Sequence, residues 1–276
     1  MTTDQHLRRI GNDGFTIFED VVPRDEVEAV CRSVYESANR YCDSQVKADL
    51  GVIHVSSFIN QDQSYAPYLA DRRILDVAEA LFGAHVRVSF TSATVNEPGK
   101  KRDKWHADWP FNQLNAGHIP APYADACIHL TSLWMFSPFT AENGGTLVVP
   151  GSHRVPTNPT ADMGVDPTSP YPTEFLVTGE AGSVVMFDSR VWHSANANRS
   201  SEPRVSVVVR YAPWYLNLNV LRPDSEDRKR MVDESGGREN CLPAVPRGVY
   251  ENLPDQVKPL FRHWVEQTVA QSPRAG

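Results

Sequence analysis

From Val86 to Tyr211 the chain is written as short apolar runs rich in β-branched residues, each closed by Pro, Gly or Asn. The runs are Val86 to Val95, Ala126 to Met135, Thr146 to Val149, Phe175 to Val177, Ser183 to Phe187 and Val205 to Tyr211. Short strands with turn residues between them predict antiparallel sheets, and this succession predicts a mainly β jelly roll, the double-stranded β-helix. Helices should flank it. Val27, Val30, Val34 and Ala38 recur at helical spacing between Val21 and Tyr41, and a second helix is expected from Asp71 to Phe82, stopped by Gly83. A last one is expected from Asp255 to Ala270, with Val257, Leu260, Phe261, Trp264 and Val265 on one face. The charged run Asp224 to Arg230 reads as an exposed helix face. The layout is one domain over 1–276: a helical region over about 10–85, a jelly-roll core over about 86–215 and a C-terminal extension over about 216–276.

Within this frame, His106-Ala-Asp108 and the distant His193 form a candidate metal set. Side chains alternate along extended backbone, so His106 and Asp108 face one side while Ala107 turns away. Two imidazoles and one carboxylate make a facial triad, which holds a divalent metal on one face and leaves the opposite face open. His193 would come from a separate strand, presented by the turn that follows Gly182-Ser-Val-Val-Met-Phe-Asp188. The next strand opens with Arg204, and Ser206 shares its face. A guanidinium fork beside a hydroxyl suits a buried carboxylate, because the fork reaches both oxygens. Arg210 lies on the same face as a substitute anchor.

These residues carry a resemblance. Trp105-His-Ala-Asp-Trp109, Glu142-Asn-Gly-Gly-Thr-Leu-Val-Val-Pro-Gly-Ser-His153, the segment from Gly182 to His193 and the pairing of His193 with Arg204 are similar to the phytanoyl-CoA dioxygenase family of Fe(II)/2-oxoglutarate-dependent oxygenases. The opening Asp13-Gly-Phe-Thr-Ile-Phe-Glu-Asp-Val-Val-Pro-Arg-Asp-Glu-Val27 also matches, and the likeness spans roughly residues 10 to 215. It implies a cupin-like fold, Fe(II) on His106, Asp108 and His193, and the distal carboxylate of 2-oxoglutarate on Arg204, with Trp134 and Ser206 as further co-substrate contacts. With O2, such an enzyme oxidises an unactivated C–H bond of a small molecule, here a secondary metabolite, and releases succinate and CO2. Relatives that halogenate carbon have a small residue in place of the metal carboxylate. Asp108 is present, so hydroxylation or a related oxidation is the expected outcome.

The stretch 110–125, directly after the metal motif, is long and irregular, and so is 215–247. Long loops in compact domains are usually functional, so both are candidates for the substrate mouth. Trp109, Phe111, Asn112 and His118 are the pocket candidates, and His54 is another histidine that could face it. His153 reads as structural and His129 as a core histidine.

Composition agrees with a soluble enzyme. A net charge of −7 gives no sign of a nucleic-acid or anionic-membrane surface. No apolar run approaches the roughly 20 residues that span a bilayer, and Met1 to Arg9 lacks a signal's apolar stretch. Cys31, Cys42, Cys127 and Cys241 show no pairing pattern, which points to reduced thiols in the cytoplasm. The competing reading is a non-catalytic jelly roll that binds a metal or ligand. Such a protein would need neither Arg204 nor an open coordination face. Zinc hydrolysis through the same ligands would need a general-base Glu, and none follows the motif.

Overall fold

The computed structural model describes residues 1–123, 125–160 and 166–267. Its strands are β1 (Phe15–Phe18), β2 (Val52–Ser56), β3 (Arg87–Asn96), β4 (Leu130–Met135), β5 (Thr146–Val148), β6 (Phe175–Val177), β7 (Val184–Asp188), β8 (His193–Ala195) and β9 (Arg204–Ala212). Six of them form one antiparallel sheet in the order β1-β7-β4-β9-β3-β2, and three form a second in the order β6-β5-β8. Bridges at His106–His193, Phe139–Gly179 and Asn143–Asn198 extend the smaller sheet. This is the expected jelly roll, with more residues in helix (30%) than in strand (21%) around it.

Both edges of the large sheet come from the region expected to be helical. β1 pairs Phe15 with Phe187, and β2 pairs His54 with Thr94. Each is only four or five residues long, and edge strands of that length give little periodic signal. A helix the spacing did not reveal, α1 (Thr3–Asp13), starts at Thr2, whose hydroxyl accepts from Gln5 N while Gln5 reaches back to Thr2 N. That reciprocal cap satisfies two otherwise orphan donors. Gly14 ends the helix at φ 89°, where a Cβ would lie 2.4 Å from Val191 and 2.7 Å from the ring of His153. His153 is thus a structural residue at this junction, its Nε2 3.3 Å from Gly11 O.

α2 (Val27–Tyr41) starts six residues later than expected and ends as expected, a short α3 (Ser44–Leu50) follows it, and α4 (Arg72–Phe82) occurs close to the expected bounds. α2 and α4 bury Val30, Val34, Ala38, Ile74, Val77 and Ala78 against one face of the large sheet, in a cluster with Val95, Trp134, Val184, Val205, Val207 and Tyr211. Each buried Val or Ile of this set contributes about 1.5–3 kcal/mol by leaving water. The other face turns inward, where Leu133, Val185, Phe187 and Val191 pack with Phe139, Val148 and Val177 of the smaller sheet. The expected C-terminal helix is shorter. α7 covers only Lys258–Phe261, a 3-10 turn follows over Arg262–Trp264, and Val265 bridges Val245 in parallel. Tying Val265 to Val245 takes precedence over helical propagation, and the rest of that expectation, from 268 onward, lies outside the described residues. The charged run becomes one turn, α5 (Glu226–Arg228), continued as a π-helical turn over Lys229–Asp233.

Candidate active site

Asp108 follows His106 in extended backbone that bridges His193, with His106 N donating to His193 O and His193 N to His106 O. This ladder step brings the three side chains together: one ligand atom from each of His106, Asp108 and His193 lies within 4.8 Å of the others. Nδ1 of His193 donates to Val191 O at 2.9 Å, and Nδ1 of His106 to Lys104 O at 3.2 Å. Both rings are thereby fixed with Nε2 free, the arrangement that orients ligating imidazoles. His193 Nε2 sits 3.7 Å from Asp108 Oδ2. Two imidazole nitrogens and a carboxylate this close together, beside a cavity that His106 and Asp108 line, fit a divalent first-row metal with an open face.

Asp108 is buried, and both its oxygens are engaged: Thr131 donates to Oδ2 at 2.7 Å and Arg210 to Oδ1. Burial by itself would raise its carboxyl, but Arg210, His193, His106 and the Thr131 hydroxyl outweigh that and hold it well below the usual carboxylate range. Behind Thr131 runs a chain of hydroxyls and one imidazole: Ser189 Oγ at 2.9 Å, His129 Nδ1 2.8 Å beyond it, and Ser89 Oγ 2.8 Å from His129 Nε2. Thr131 donates to a carboxylate, so the chain has one consistent direction, with His129 donating from Nδ1 to Ser189 and Ser189 donating to Thr131. Burial lowers His129 to about 3, which keeps it neutral. It is the satisfied core histidine expected, and through Ser189 and Thr131 it also supports the Asp108 carboxylate.

Arg204, 1% exposed, extends from the start of β9 across the inner space. One Nη donates to Gly144 O at 2.7 Å and approaches Thr146 Oγ1 at 3.3 Å, and its guanidinium lies 4.3 Å over the Phe139 ring. Among the described residues no carboxylate bonds it and its buried Nε has no partner, and burial lowers its pKa to about 10. Directly opposite in register is Asn96 of β3, fully buried, with both amide atoms unpartnered. Ser206 lies on the same face, its hydroxyl donating to Thr94 O. Buried polar groups without partners are rare and costly, and here they belong to one cation and one amide beside each other. A carboxylate satisfies both, so the residues present fit the distal end of 2-oxoglutarate.

Three expected contacts do not reach the site. Trp134 alternates to the helix-covered face, where its indole donates to Ser132 Oγ at 3.0 Å; its neighbours Thr131 and Leu133 are the ones pointing inward. Phe111 sits in the tight turn closed by Phe111 N and Asn112 N on Asp108 O, and its ring is buried edge-on against Tyr123. His118 turns onto its own loop through Nδ1 and Asn115 O. Trp109 and Asn112 do line the cavity above the metal set, a space of about 220 Å³ shared with His106, Asp108, Asn115, Arg210, Arg238, Glu239 and Asn240. Both long loops therefore meet at the mouth, as expected, and Glu239 clasps 115–117 through Asn115 Nδ2 and Gly117 N. Arg210 is no substitute anchor, because Asp108 engages it. His54 lies on the inner face, with Ser92 Oγ 3.1 Å from its Nδ1. Asn96, Thr131 and Arg238 had no local signal in the sequence; only strand pairing and loop packing bring them here.

The phytanoyl-CoA dioxygenase family model matches residues 10–206. The chain belongs to the phytanoyl-CoA dioxygenase family. It is thus a member of the Fe(II)/2-oxoglutarate-dependent oxygenases, which are oxidoreductases. The ectoine dioxygenase of Bordetella parapertussis is 28% identical over 255 residues, covering 79% of this chain and 78% of that protein. Dioxygenase af480 of Aspergillus fumigatus is 28% identical over 151 residues, 54% of this chain and 45% of its own length. Among solved structures, HygX from Streptomyces hygroscopicus with nickel, 2-oxoglutarate and hygromycin B matches with a TM-score of 0.63 at 17% identity, covering 86% of this chain and 95% of that one. The epimerase SnoN from nogalamycin biosynthesis matches with a TM-score of 0.60 at 22% identity, covering 76% and 83%. At these identities the likeness is one of fold.

Proposed function

We propose that this family member hydroxylates an unactivated C–H bond of a small molecule of secondary metabolism, with His106, Asp108 and His193 as the iron ligands and Arg204 as the co-substrate anchor. One observation carries the reading: the three-ligand set opens onto a polar cavity on one side, and on the inner face Arg204, with a buried unpartnered Nε, lies opposite the unpartnered amide of Asn96. Bound at that set, Fe(II) with 2-oxoglutarate and O2 supplies the oxidising power, and succinate and CO2 are released. The residues supply the rest. His106 and His193 present Nε2, held by carbonyl acceptors behind them. Thr131 and Arg210 keep Asp108 ionised and fixed in direction. Arg204, Asn96 and Ser206 set how far the dicarboxylate enters, and the apolar wall of Leu133, Val185 and Phe187 keeps water from that space. No described helix is long and apolar enough to cross a membrane, and all four cysteines are unpaired, which supports a reducing, cytoplasmic setting.

The test is an anaerobic titration of the metal-free protein with Fe(II) and 2-oxoglutarate, followed by the visible charge-transfer band of the chelate. We expect a band that needs both components and is lost in His106→Ala. A folded, metal-binding protein without a band would move the reading to a non-catalytic jelly roll.

A further inference from the structure

Around the mouth, acceptors and donors are unequally matched. Both carboxylates are fully engaged: Asp108 by Thr131 and Arg210, and Glu239 by Asn115 Nδ2, Gly117 N and Asn240 N. Donors are left over. Arg210 lines the cavity as well as bonding Asp108. Asn112 uses its carbonyl oxygen for Leu114 N and leaves its amide NH2 for the cavity. Arg238 lines the opening of the cavity with an exposed side chain and has no ion pair among the described residues; its backbone carbonyl accepts from Ala116 N. That backbone bond and the Glu239 clasp tie this surface segment to residues 115–117 at the cavity mouth, so the base of Arg238 is held while its side chain stays exposed.

We propose that the substrate is a small carboxylic acid whose carboxylate is bound by Arg238, with Asn112 and Arg210 as further donors. The proposal rests on the oxygenase reading above and names the substrate class for that site. A cation lining a partly closed cavity attracts an oxyanion, and the guanidinium fork matches a carboxylate in two parallel bonds. An amine-bearing cation would find no free carboxylate there. An apolar acyl chain would offer nothing for Arg238 and Asn112 to bond. Arg204 is not available for this group, since it lies at the start of β9 with Asn96, whereas the mouth lies beside Arg210 toward the end of that strand. The two arginines thus sort two different acids: Arg204 takes the co-substrate, and Arg238 takes the molecule to be oxidised.

The experiment uses the full chain loaded anaerobically with Fe(II) and 2-oxoglutarate. Paired small acids and their primary amides are added, drawn from amino-acid, cyclic imino-acid and hydroxy-acid series, and the shift of the visible band is followed. Succinate formation is measured after admitting air. We expect band shifts and added succinate with an acid but not with its amide. Arg238→Ala should raise that acid's half-saturation at least about tenfold, the scale of one charge-assisted bidentate contact, while leaving 2-oxoglutarate binding unchanged; Arg238→Lys should restore part of it. The proposal is overturned if amides or amines act as well as acids, if no acid in the series acts, or if Arg238→Ala binds the acid like the parent. Absence of the band itself would instead remove the oxygenase reading, so the two failures are separable.

Discussion

Asp108 and Arg204 are both charged, both buried in the space between the two sheets, and held in opposite ways. Asp108 has a partner for each oxygen, backed by the chain through Thr131, Ser189, His129 and Ser89. Arg204 has only a carbonyl, a hydroxyl and an aromatic face, with Nε and the neighbouring Asn96 amide unpartnered. The difference teaches what each waits for. A carboxylate whose direction is fixed in advance is a metal ligand needing no rearrangement on binding. A buried cation without a counterion is a cost to the fold, offset when an anion arrives. On the proposed assignment, the metal end would be organised by the protein itself and the co-substrate end completed by its guest.

The comparison breaks most visibly if the two charges behave alike on removal. Asp108→Ala should abolish hydroxylation and, by stranding Arg210, cost the metal-free fold about 3–5 kcal/mol. Urea denaturation together with an Fe(II) titration measures both, and a variant that keeps either full stability or turnover contradicts the assignment. Arg204→Met should do the reverse: 2-oxoglutarate half-saturation rises about a hundredfold, the scale of a lost charge-assisted pair, while stability of the metal-free protein changes by less than about 1 kcal/mol because no ion pair is broken. A large loss of stability in Arg204→Met would mean that Gly144 and Thr146 are its real purpose.

How much of this could be read beforehand depends on the range of the interaction. His106, Asp108 and His193 were legible because alternation and a turn are local properties, and Arg204 because its fork stands at the head of a strand next to that turn. Trp134 was misplaced by one step of the same alternation, since resemblance gives position and not which face a strand shows. Asn96 was invisible: nothing near it in sequence marks it, and only the pairing of β3 with β9 sets it against Arg204. The jelly roll was legible from its long central strands, and its edges β1 and β2 were not, being short and embedded among helices. Phe111 and His118 lie in the correct loop, but whether a loop residue faces the cavity is decided by packing far away, here by Glu239 and Tyr123.

Asn96 sharpens the comparison at the co-substrate end. Replacing it by Leu, of similar size, removes two unpartnered polar atoms, so the metal-free fold should hold its stability or gain slightly. Binding of 2-oxoglutarate should weaken about tenfold, and binding of 2-oxobutyrate, which lacks the distal carboxylate, should not change. Equal weakening of both ligands would place Asn96 at the keto-acid end and away from Arg204.

The smallest effect belongs to the support behind Asp108. In the folded chain His129 takes up its proton only near pH 3, because burial and, to a lesser degree, Arg210 oppose the charge. In the unfolded chain it does so at the ordinary value of 6.5. Between those values the unfolded state binds the extra proton, so the stability from a neutral His129 is complete above about pH 6.5 and is lost as pH falls toward 3. In His129→Gln the amide can still bond Ser189 or Ser89 but takes up no proton. The stability-against-pH slope should therefore flatten by up to about 1.4 kcal/mol per pH unit in that window. His193 and His6, both lowered to about 4, titrate over part of the same range, so the variant should reduce the acid sensitivity and not remove it. Stability curves for parent and variant from pH 4 to 7.5 decide the point. Parallel curves would mean that His129 is protonated in the folded protein, and the one-way chain to Asp108 would then have to run differently.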